Sequence, residues 1–374
     1  MSAFADIYGD PYCAWYASSV SRAPSSGGID ALAHRLVRKP APPPRPWELP
    51  SAIHLNDVGW VALHDHLADR RRNVMLCFKS SRFGSYSHSH ADQNSFILEA
   101  FGRPLLIDSG YYPWYGSPHD ISWTRNTRAH NAVLFDGKGQ GLWSLAASGR
   151  IMSFIHTEEV DYVAGNATAA YREGPRAHGR RDIGLPEDIW ACDAGVLRAV
   201  RHIVYARPGQ FFIIDDVETE QPLPIELMFH ASVPFAVEGR AAALSNPPAK
   251  ATLAFAGDEP MSLSVSDHFP VAPEAVSGQT FPQQWHMAAR FEPLRRGRMF
   301  LTSITVTPDG EQAPASDTRC ERDESGVAAC AGGWRVAFAA LAPDAVSVTC
   351  THLDGSGGLR LTGLRGGFAA RADR

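Results

Sequence analysis

Short apolar runs separated by glycine, proline, aspartate and asparagine dominate the chain from about residue 51 onward. Many of these runs are rich in β-branched and aromatic residues, which favour strands. The candidate strands cover residues 58–63, 74–78, 95–101, 105–107, 132–135, 196–205, 211–217, 225–230, 263–265, 299–306, 334–339 and 346–350. No long segment between them repeats apolar residues with the 3.6-residue period of a helix. This pattern predicts an all-β fold, a large antiparallel β-sandwich or a jelly-roll-like architecture.

Two of these runs indicate how the strands are buried. In residues 225–230 apolar side chains alternate with polar ones, so one face belongs to a core and the other to solvent or to a site. Residues 96–107 are apolar on both faces around a Gly102-Arg103 turn. This second pattern predicts a hairpin that is buried in the middle of the assembly.

The first fifty residues differ from the rest of the chain. They contain an aromatic-rich patch in residues 8–16, a helical stretch in residues 29–37 and a proline-rich run in residues 40–46. The proline run cannot be helical and indicates an extended linker, and so short a segment cannot bury a core alone. We expect residues 1–50 to be the remnant of a helical domain plus its linker. Residues 51–374 form the sandwich, with a smaller C-terminal sheet from about residue 311.

Composition excludes several classes of protein. The chain has 374 residues, 44% of them hydrophobic, which is typical of a globular protein with a core. The formal charge of −5 is small, and the basic residues are not gathered into one stripe, so we expect no nucleic-acid partner. No apolar run approaches the roughly 18 residues of a membrane span. The N-terminus lacks the features of a secretory signal, and we expect a cytoplasmic or periplasmic bacterial protein.

The densest group of chemically competent side chains begins in residues 85–96, which hold two histidines, an aspartate and two amides just before a strand. Further titratable and hydrogen-bonding residues follow, namely Asp108, Tyr111, Tyr112, Tyr115, His119, Asp120, Arg125, Arg128, His130 and Asn131. An isolated histidine in a strand is more often a hydrogen-bonded structural residue, as we expect for His202 and His230. A density this high indicates a functional site.

Two chemistries fit this cluster, and spacing alone does not choose between them. Histidines and a carboxylate are ligands that Zn²⁺ takes. Alternatively, a donor histidine binds a substrate carboxylate while a tyrosine acts as acid or base. A Gly102-Arg103 hairpin turn places Asp108 opposite Ile97. Shared ligation with His90 then requires the chain before Asn94 to fold back.

Three stretches together resemble the heparinase II/III-like C-terminal domain. They are residues 78–96, which include the motif HSHADQNSF, residues 102–112 (GRPLLIDSGYY) and residues 130–137 (HNAVLFDG). The continuation to residue 119, PWYGSPH, is most similar to the exotype oligo-alginate lyase branch. The resemblance covers roughly residues 51–310.

The resemblance implies a polysaccharide lyase, in which an N-terminal (α/α) toroid precedes large β-sandwich domains. The substrate is then an acidic oligo- or polysaccharide that contains uronate, alginate oligosaccharide first and a heparin-like glycosaminoglycan second. Nearly all of the toroid, which carries an Asn/His pair and a tyrosine of the family's catalytic machinery, is absent from residues 1–50. We therefore expect this chain to act with a separately encoded toroid domain or as a homo-oligomer, and to be inactive without the toroid.

The resemblance also implies roles for individual residues. His88 faces the substrate cleft and helps to neutralise the uronate carboxylate, which makes the proton on C5 more acidic. Tyr115 is favoured over Tyr111 and Tyr112 as a catalytic tyrosine of the sandwich. The positions that bind a structural Zn²⁺ in the family correspond to His90, Asp108 and His130. The candidates for bidentate contacts to sugar carboxylates are Arg82, Arg125 and Arg128.

Two other hypotheses remain open at the level of sequence. The first is a non-catalytic sandwich that binds carbohydrate or docks a partner. The second is a cupin-like metal oxygenase that uses His88, His90, His130 and a carboxylate. Cupin motifs place the acid a few residues after the second histidine, whereas Glu99 follows His90 at a greater distance and lies in the middle of a predicted strand. The cupin hypothesis is therefore the weaker one.

Overall fold

The computed structural model of the protein describes residues 9–20, 49–172, 194–256, 260–311, 321–323, 326–342, 345–364 and 367–373. The chain divides into two compact units, residues 1–51 with 66–69, and residues 52–65 with 70–374. In the first unit helix α1 spans Pro11–Val20, and the Asp10 carboxylate caps it by accepting a hydrogen bond from Cys13 N at 2.9 Å. The helical stretch predicted for residues 29–37 and the proline run lie outside the described residues.

The second unit is built from strands. In chain order they are β1 (Ala52–Leu55), β2 (Trp60–His64), β3 (Val74–Lys79), β4 (Ser95–Ala100), β5 (Arg103–Leu106), β6 (Val133–Phe135), β7 (Arg150–His156), β8 (Val160–Asn166), β9 (Val196–Ala206), β10 (Gln210–Thr219), β11 (Ile225–Ala231), β12 (Ala236–Glu238), β13 (Ala241–Asn246), β14 (Ala249–Ala256), β15 (Met261–Ser266), β16 (Trp285–Phe291), β17 (Gly297–Pro308), β18 (Glu321–Asp323), β19 (Gly326–Ala331), β20 (Trp334–Ala342), β21 (Ala345–His352), β22 (Gly358–Leu364) and β23 (Gly367–Asp373). Helix α2 (Thr168–Arg172), a π-helical turn (Asp120–Thr124) and a 3₁₀ turn (Thr127–Ala129) interrupt them. Among the described residues, no helix is long and apolar enough to cross a membrane.

These strands form four sheets. One has five strands in the order β1-β2-β3-β4-β5, and a second has eight in the order β12-β13-β14-β17-β10-β9-β8-β7. A third has four strands in the order β15-β16-β11-β6, and the fourth contains β18 to β23 in sequence order. All strand pairs in the described residues are antiparallel. The prediction of an all-β antiparallel sandwich is therefore confirmed.

The eight-stranded sheet is the middle layer of this unit. Phe211 and Ile213 of β10 lie in a core that is shared with the five- and four-stranded sheets. Phe212 and Ile214, the alternate residues of the same strand, lie in a second core that is shared with the six-stranded sheet. Successive side chains of a strand point to opposite faces, so a strand covered on both sides is apolar throughout. The result is a three-layer arrangement.

Strands that sequence reasoning missed include β8 and β14, which are rich in alanine or contain glycine. Gly165 in β8 shows why a small residue is needed. A Cβ on Gly165 would lie 2.4 Å from Asn94 Oδ1 and 2.7 Å from Phe78 Cζ. The close approach of two layers, rather than strand propensity, therefore determines this residue.

The β4–β5 hairpin turns one residue earlier than predicted. Ala100 pairs with Arg103, so the two turn residues are Phe101 and Gly102, with φ angles of 52° and 78°. Two-residue hairpins favour left-handed backbone at both turn positions, which glycine adopts easily at the second. A register shift follows at Leu98 and Glu99.

Candidate functional site

The loop between β3 and β4 carries the histidine pair, and it folds back on itself. Asn94 has a left-handed φ of 60°, and its N–H donates to Lys79 O at 2.8 Å. Ala91 N donates to Arg125 O at 2.9 Å, and Thr127 Oγ1 donates to Ala91 O at 2.7 Å. The loop is thereby tied to the segment that follows β5. The chain before Asn94 therefore folds back, as the approach of His90 to His130 requires.

The two amides of the HSHADQNSF motif hold the loop in place. Gln93 Oε1 accepts a hydrogen bond from Ser81 N at 2.6 Å, and the Gln93 backbone exchanges bonds of 2.9 and 2.8 Å with the side chain of Gln140. Asn94 Nδ2 donates to Gly165 O at 2.9 Å. Both amide side chains are buried. They are structural anchors rather than groups that contact a ligand.

A buried ion pair on the middle sheet supports the same loop. Arg201 binds both oxygens of Asp215, with Nε–Oδ1 and Nη2–Oδ2 distances of 2.7 and 3.0 Å. Its Nη1 donates to Asn94 O at 2.8 Å and to Asn131 O at 2.6 Å. One side chain therefore connects the two motifs that contain His90 and His130. Sequence reasoning missed Arg201, although a charge of opposite sign in each of two neighbouring apolar runs was a signal.

Asn131 joins strands β4 and β11 and the residue that follows β5. Its Nδ2 donates to Phe96 O at 2.7 Å and to Ile107 O at 3.1 Å, and its Oδ1 accepts from His230 N at 2.9 Å. Ile107 N in turn donates to His230 O at 2.9 Å. The five- and four-stranded sheets thus meet at this buried amide, which explains why an asparagine follows His130.

The two residues predicted to be catalytic lie side by side. The ring centroids of His88 and Tyr115 are 4.7 Å apart, and the Tyr115 hydroxyl lies 3.4 Å from Ser87 O. Both side chains are exposed. The structure thus brings a donor histidine and a tyrosine to one accessible surface, although they are far apart in sequence. Their catalytic role stays a prediction.

Tyr111, an alternative catalytic tyrosine, is engaged elsewhere. Its hydroxyl donates to Pro282 O, and its ring packs against Phe281 and Phe269. This hydroxyl is held by a backbone carbonyl and does not lie beside His88.

The three predicted substrate-binding arginines occupy different environments. Arg82 is exposed, and Arg128 is half-buried in the 3₁₀ turn. Arg125 is only 1% exposed, and its Nη2 donates to Ser87 O and, at 3.0 Å, to Ser89 O. The structure therefore corrects the prediction for Arg125, because a buried guanidinium that is bound to backbone carbonyls cannot clamp a sugar carboxylate.

The candidate metal centre differs from the predicted ligand set in its carboxylate. His90, Asp92 and His130 each offer a ligand atom, and these atoms lie within 4.8 Å of one another. Asp108 instead contacts His130, with 2.9 Å between Asp108 Oδ1 and His130 Nδ1. The other ring nitrogen of His130, Nε2, is buried and has no hydrogen-bond partner among the described residues. A carboxylate on one imidazole nitrogen commonly orients the other nitrogen toward a metal.

Electrostatics favour neutral His90 at this centre. Burial, reinforced by the nearby His130, lowers the pKa of His90 to about 4. Burial also opposes protonation of His130, but the charge and hydrogen bond of Asp108 outweigh it and raise the pKa of His130. Asp92 is paired with Lys79, with 2.5 Å between Oδ1 and Nζ. A metal ion that binds Asp92 would therefore compete with an ammonium group.

A second group of histidines lies next to the first. His230 Nδ1 and His286 Nδ1 are 3.1 Å apart, and both side chains are buried against Trp123. Gln284 Oε1 accepts bonds of 2.8 Å from Ser109 Oγ and from Gly110 N. The neighbouring Gln284 and His286 thus anchor the loop after β5. For His230 this buried contact agrees with the expected structural role.

The carboxylate required by the cupin hypothesis is not near the histidines. Glu99 lies in β4 opposite Met75, and its Oε1 is 3.3 Å from Arg70 Nε. It is thus engaged on the far part of the hairpin, and a cupin-like ligand set that includes Glu99 is not formed.

A family model described as heparinase II/III-like, C-terminal, matches residues 48–315. Among curated proteins no sequence matches the chain. Solved structures with the same fold include a heparinase III gene product, with 13% identity and a TM-score of 0.61 over 86% of this chain and 43% of that one. A mutant of the heparan sulfate lyase HepC from Pedobacter heparinus has 12% identity and a TM-score of 0.60, over 95% of this chain and 47% of that one. The chain spans less than half of the length of each of these solved chains.

Proposed function

Because the chain belongs to the heparinase II/III-like, C-terminal family, we propose that it is the β-sandwich part of a polysaccharide lyase. The observation that carries the proposal is the contact between His88 and Tyr115, whose ring centroids are 4.7 Å apart on an exposed surface. Elimination from a uronate requires a donor to the carboxylate and groups that transfer protons. A histidine and a tyrosine that a sugar can reach together can fill two of these roles.

The proposed reaction is a β-elimination. A donor neutralises the uronate carboxylate, which acidifies the proton on C5. A base takes that proton, a double bond forms between C4 and C5, the bond from C4 to O4 breaks, and an acid protonates O4. His88 supplies the donor to the carboxylate, and Tyr115 exchanges a proton with the sugar. Tyr115 is thus one of the two proton-transfer groups, and the toroid domain of the assembled enzyme supplies the other.

We propose an alginate oligosaccharide as the preferred substrate and a heparin-like glycosaminoglycan as the second. The first choice rests on the resemblance of residues 111–119 to the oligo-alginate lyase branch. The second is supported by the similarity of fold to a heparan sulfate lyase. Tyr112 and Trp114 are 49% and 48% exposed next to Tyr115, where they can stack on the apolar faces of sugar rings.

We also propose a structural Zn²⁺ held by His90 and His130 together with a carboxylate. The residues fit this ion because, in the part of the chain that the structure describes, His130 Nε2 is buried without a hydrogen-bond partner, and because His90 is neutral near pH 7. When bound, the ion would cross-link the loop before β4 to the segment before β6. Its contribution is to rigidity, and the reaction does not pass through it.

A second candidate function is carbohydrate binding without catalysis. The exposed rings of Tyr86 and Trp114 favour it, because aromatic rings at a surface can stack on sugars. In this case a toroid encoded elsewhere would not be required for function.

Complementation tests the proposed function. The chain is assayed alone and together with a separately expressed helical domain of a related lyase, on alginate and heparan oligosaccharides, by the ultraviolet absorbance of the unsaturated uronate product. We expect product only in the mixture. Binding of sugar without product in either sample would favour the second candidate and contradict the lyase.

Variants identify the site within this assay. We expect His88→Ala and Tyr115→Phe each to reduce kcat by about 10²-fold or more, in line with the loss of a group that transfers or stabilises a proton. Tyr111→Phe is the matched control, because that hydroxyl binds Pro282 O and is not beside His88. Equal activity of the Tyr115 and Tyr111 variants would remove Tyr115 from the mechanism.

A further inference from the structure

We propose that Arg125 is a positioning residue, whose buried guanidinium fixes His88 and Tyr115 relative to each other. The inference rests on the proposed function, because these two side chains are the ones assigned to the sugar. It also gives Arg125 a role that its burial permits, in place of direct contact with a substrate.

The first observation concerns the backbone on either side of His88. Arg125 Nη2 donates to Ser87 O and, at 3.0 Å, to Ser89 O. Ser87 has a left-handed φ of 57°, a conformation that a serine adopts only when surrounding contacts impose it. The guanidinium therefore holds the tight bend from which the His88 ring projects.

The second observation concerns the aromatic rings. Arg125 Cζ is 5.3 Å from the centroid of Tyr115 and 5.1 Å from that of Trp143. A planar guanidinium packs well on aromatic faces, and it is the side chain that best combines stacking with hydrogen bonds in its own plane. The same group that binds the His88 loop thus also contacts Tyr115.

The third observation concerns charge. Within the described residues Arg125 forms no ion pair, although it is almost fully buried. The buried carboxylate whose charge interacts with it is Asp120, and Asp120 Oδ2 accepts a bond from Gly116 N at 2.8 Å. Asp120 therefore holds Gly116, which follows Tyr115, while Arg125 holds Ser87 and Ser89, which flank His88. A buried cation below this surface also favours an acidic sugar above it.

The experiment compares Arg125→Met with Arg298→Met. Arg298 is a matched control, because it is 2% exposed, donates to the backbone carbonyls of Glu292 and Leu223, and lies 5.4 Å from the ring of Phe300. It belongs to β17 of the middle sheet and contacts none of the proposed catalytic residues. Both variants remove a buried guanidinium, but only one removes it from the site.

Two measurements are made on the full chain. The first is the nuclear Overhauser effect between the His88 and Tyr115 rings, in protein labelled selectively at histidine and tyrosine. This measurement needs no enzymatic activity. The second is kcat and KM for a uronate oligosaccharide in the complemented assay. A displacement of about 1 Å in a catalytic group can lower a rate about 10²-fold.

For Arg125→Met we expect loss of the ring-to-ring signal and a decrease in kcat of about 10–100-fold, with a smaller change in KM. For Arg298→Met we expect parental values of both quantities, despite a similar loss of thermal stability. Parental kcat and an intact signal in Arg125→Met would overturn the proposal, as would equal losses in both variants.

A conservative variant covers the case in which Arg125→Met does not fold. Arg125→Lys keeps a donor but loses the plane that stacks on Tyr115 and Trp143, so we expect a weaker ring signal and a several-fold lower kcat. Parental values in the lysine variant would then overturn the proposal. If no sample makes lyase product while the ring signal still depends on Arg125, the proposed function fails and the positioning role stands.

Discussion

At the residue scale, two carboxylates lie close to His130 in different ways. Asp92 is brought together with His90 and His130, whereas Asp108 hydrogen-bonds the Nδ1 of His130 and half of its side chain is exposed. Lys79 neutralises Asp92 in the structure. The geometry therefore favours Asp92 as the ligand of a metal and Asp108 as the group that orients the imidazole.

We predict that Asp92→Asn weakens the binding of zinc more than Asp108→Asn does. Loss of a carboxylate that orients a liganding imidazole typically costs about 10–100-fold in affinity, and loss of a ligand should cost more. Competition with a chromogenic zinc chelator measures both affinities, with the exposed Asp136 changed to Asn as a control. Parental affinity of Asp92→Asn together with loss of binding in Asp108→Asn would restore Asp108 as the ligand that the sequence predicted.

At the element scale, β11 and β16 pair in a register that places His230 opposite His286. Burial lowers the pKa of His286 to about 4, and burial together with His286 lowers the pKa of His230 well below its usual range. Each therefore binds a proton more readily in the unfolded chain than in the folded one. Their contribution to stability is present above the unfolded pKa of about 6.5 and is lost as the pH falls toward the folded value.

We predict that this pair makes the protein sensitive to acid. For His286 alone, the free energy of unfolding should decrease by about 2 kcal/mol between pH 7 and pH 5. Urea unfolding at the two pH values measures it, and His286→Gln should reduce the decrease by that amount. His268→Gln is the control, because the His268 side chain is 83% exposed. The same pH dependence in parent and His286→Gln would show that another group is responsible.

At the scale of the whole molecule, the middle sheet separates the site from the six-stranded sheet. His88, His90 and His130 lie on the side of the five- and four-stranded sheets, whose core contains Phe96 and Phe229. Phe338 belongs to the opposite core, where its ring is 4.6 Å from that of His202. Changes in the second core should therefore act on stability and leave the site intact.

We predict that Phe338→Ala lowers the free energy of unfolding by about 3–5 kcal/mol, because it removes a fully buried ring and leaves a cavity. Urea unfolding measures this loss. Below the unfolding transition, the contact between the His88 and Tyr115 rings should keep its parental nuclear Overhauser effect. A change in that signal would mean that the two cores are coupled across the middle sheet.

Local patterns were sufficient for the fold class. The alternation of apolar and polar residues in β11, the short apolar runs such as β10, and the turn residues between runs are properties of neighbouring positions, and they predicted an antiparallel sandwich. The same patterns did not predict β8, where Gly165 is required by the passage of Asn94 from another layer. Propensity does not report such close approaches.

The sequence by itself determined the all-β class, and its dense motifs marked the loops around β4 to β6 as the candidate site, for which His88 and Tyr115 stay the predicted catalytic residues. Only the tertiary structure decided that Arg125 is buried beneath these residues, that Asp92 joins His90 and His130, and that Arg201 supports the loop. The physical reason is that burial and hydrogen-bond partners depend on residues distant in the chain. Arg201, for example, reaches the carbonyl of Asn94 across 107 positions of sequence.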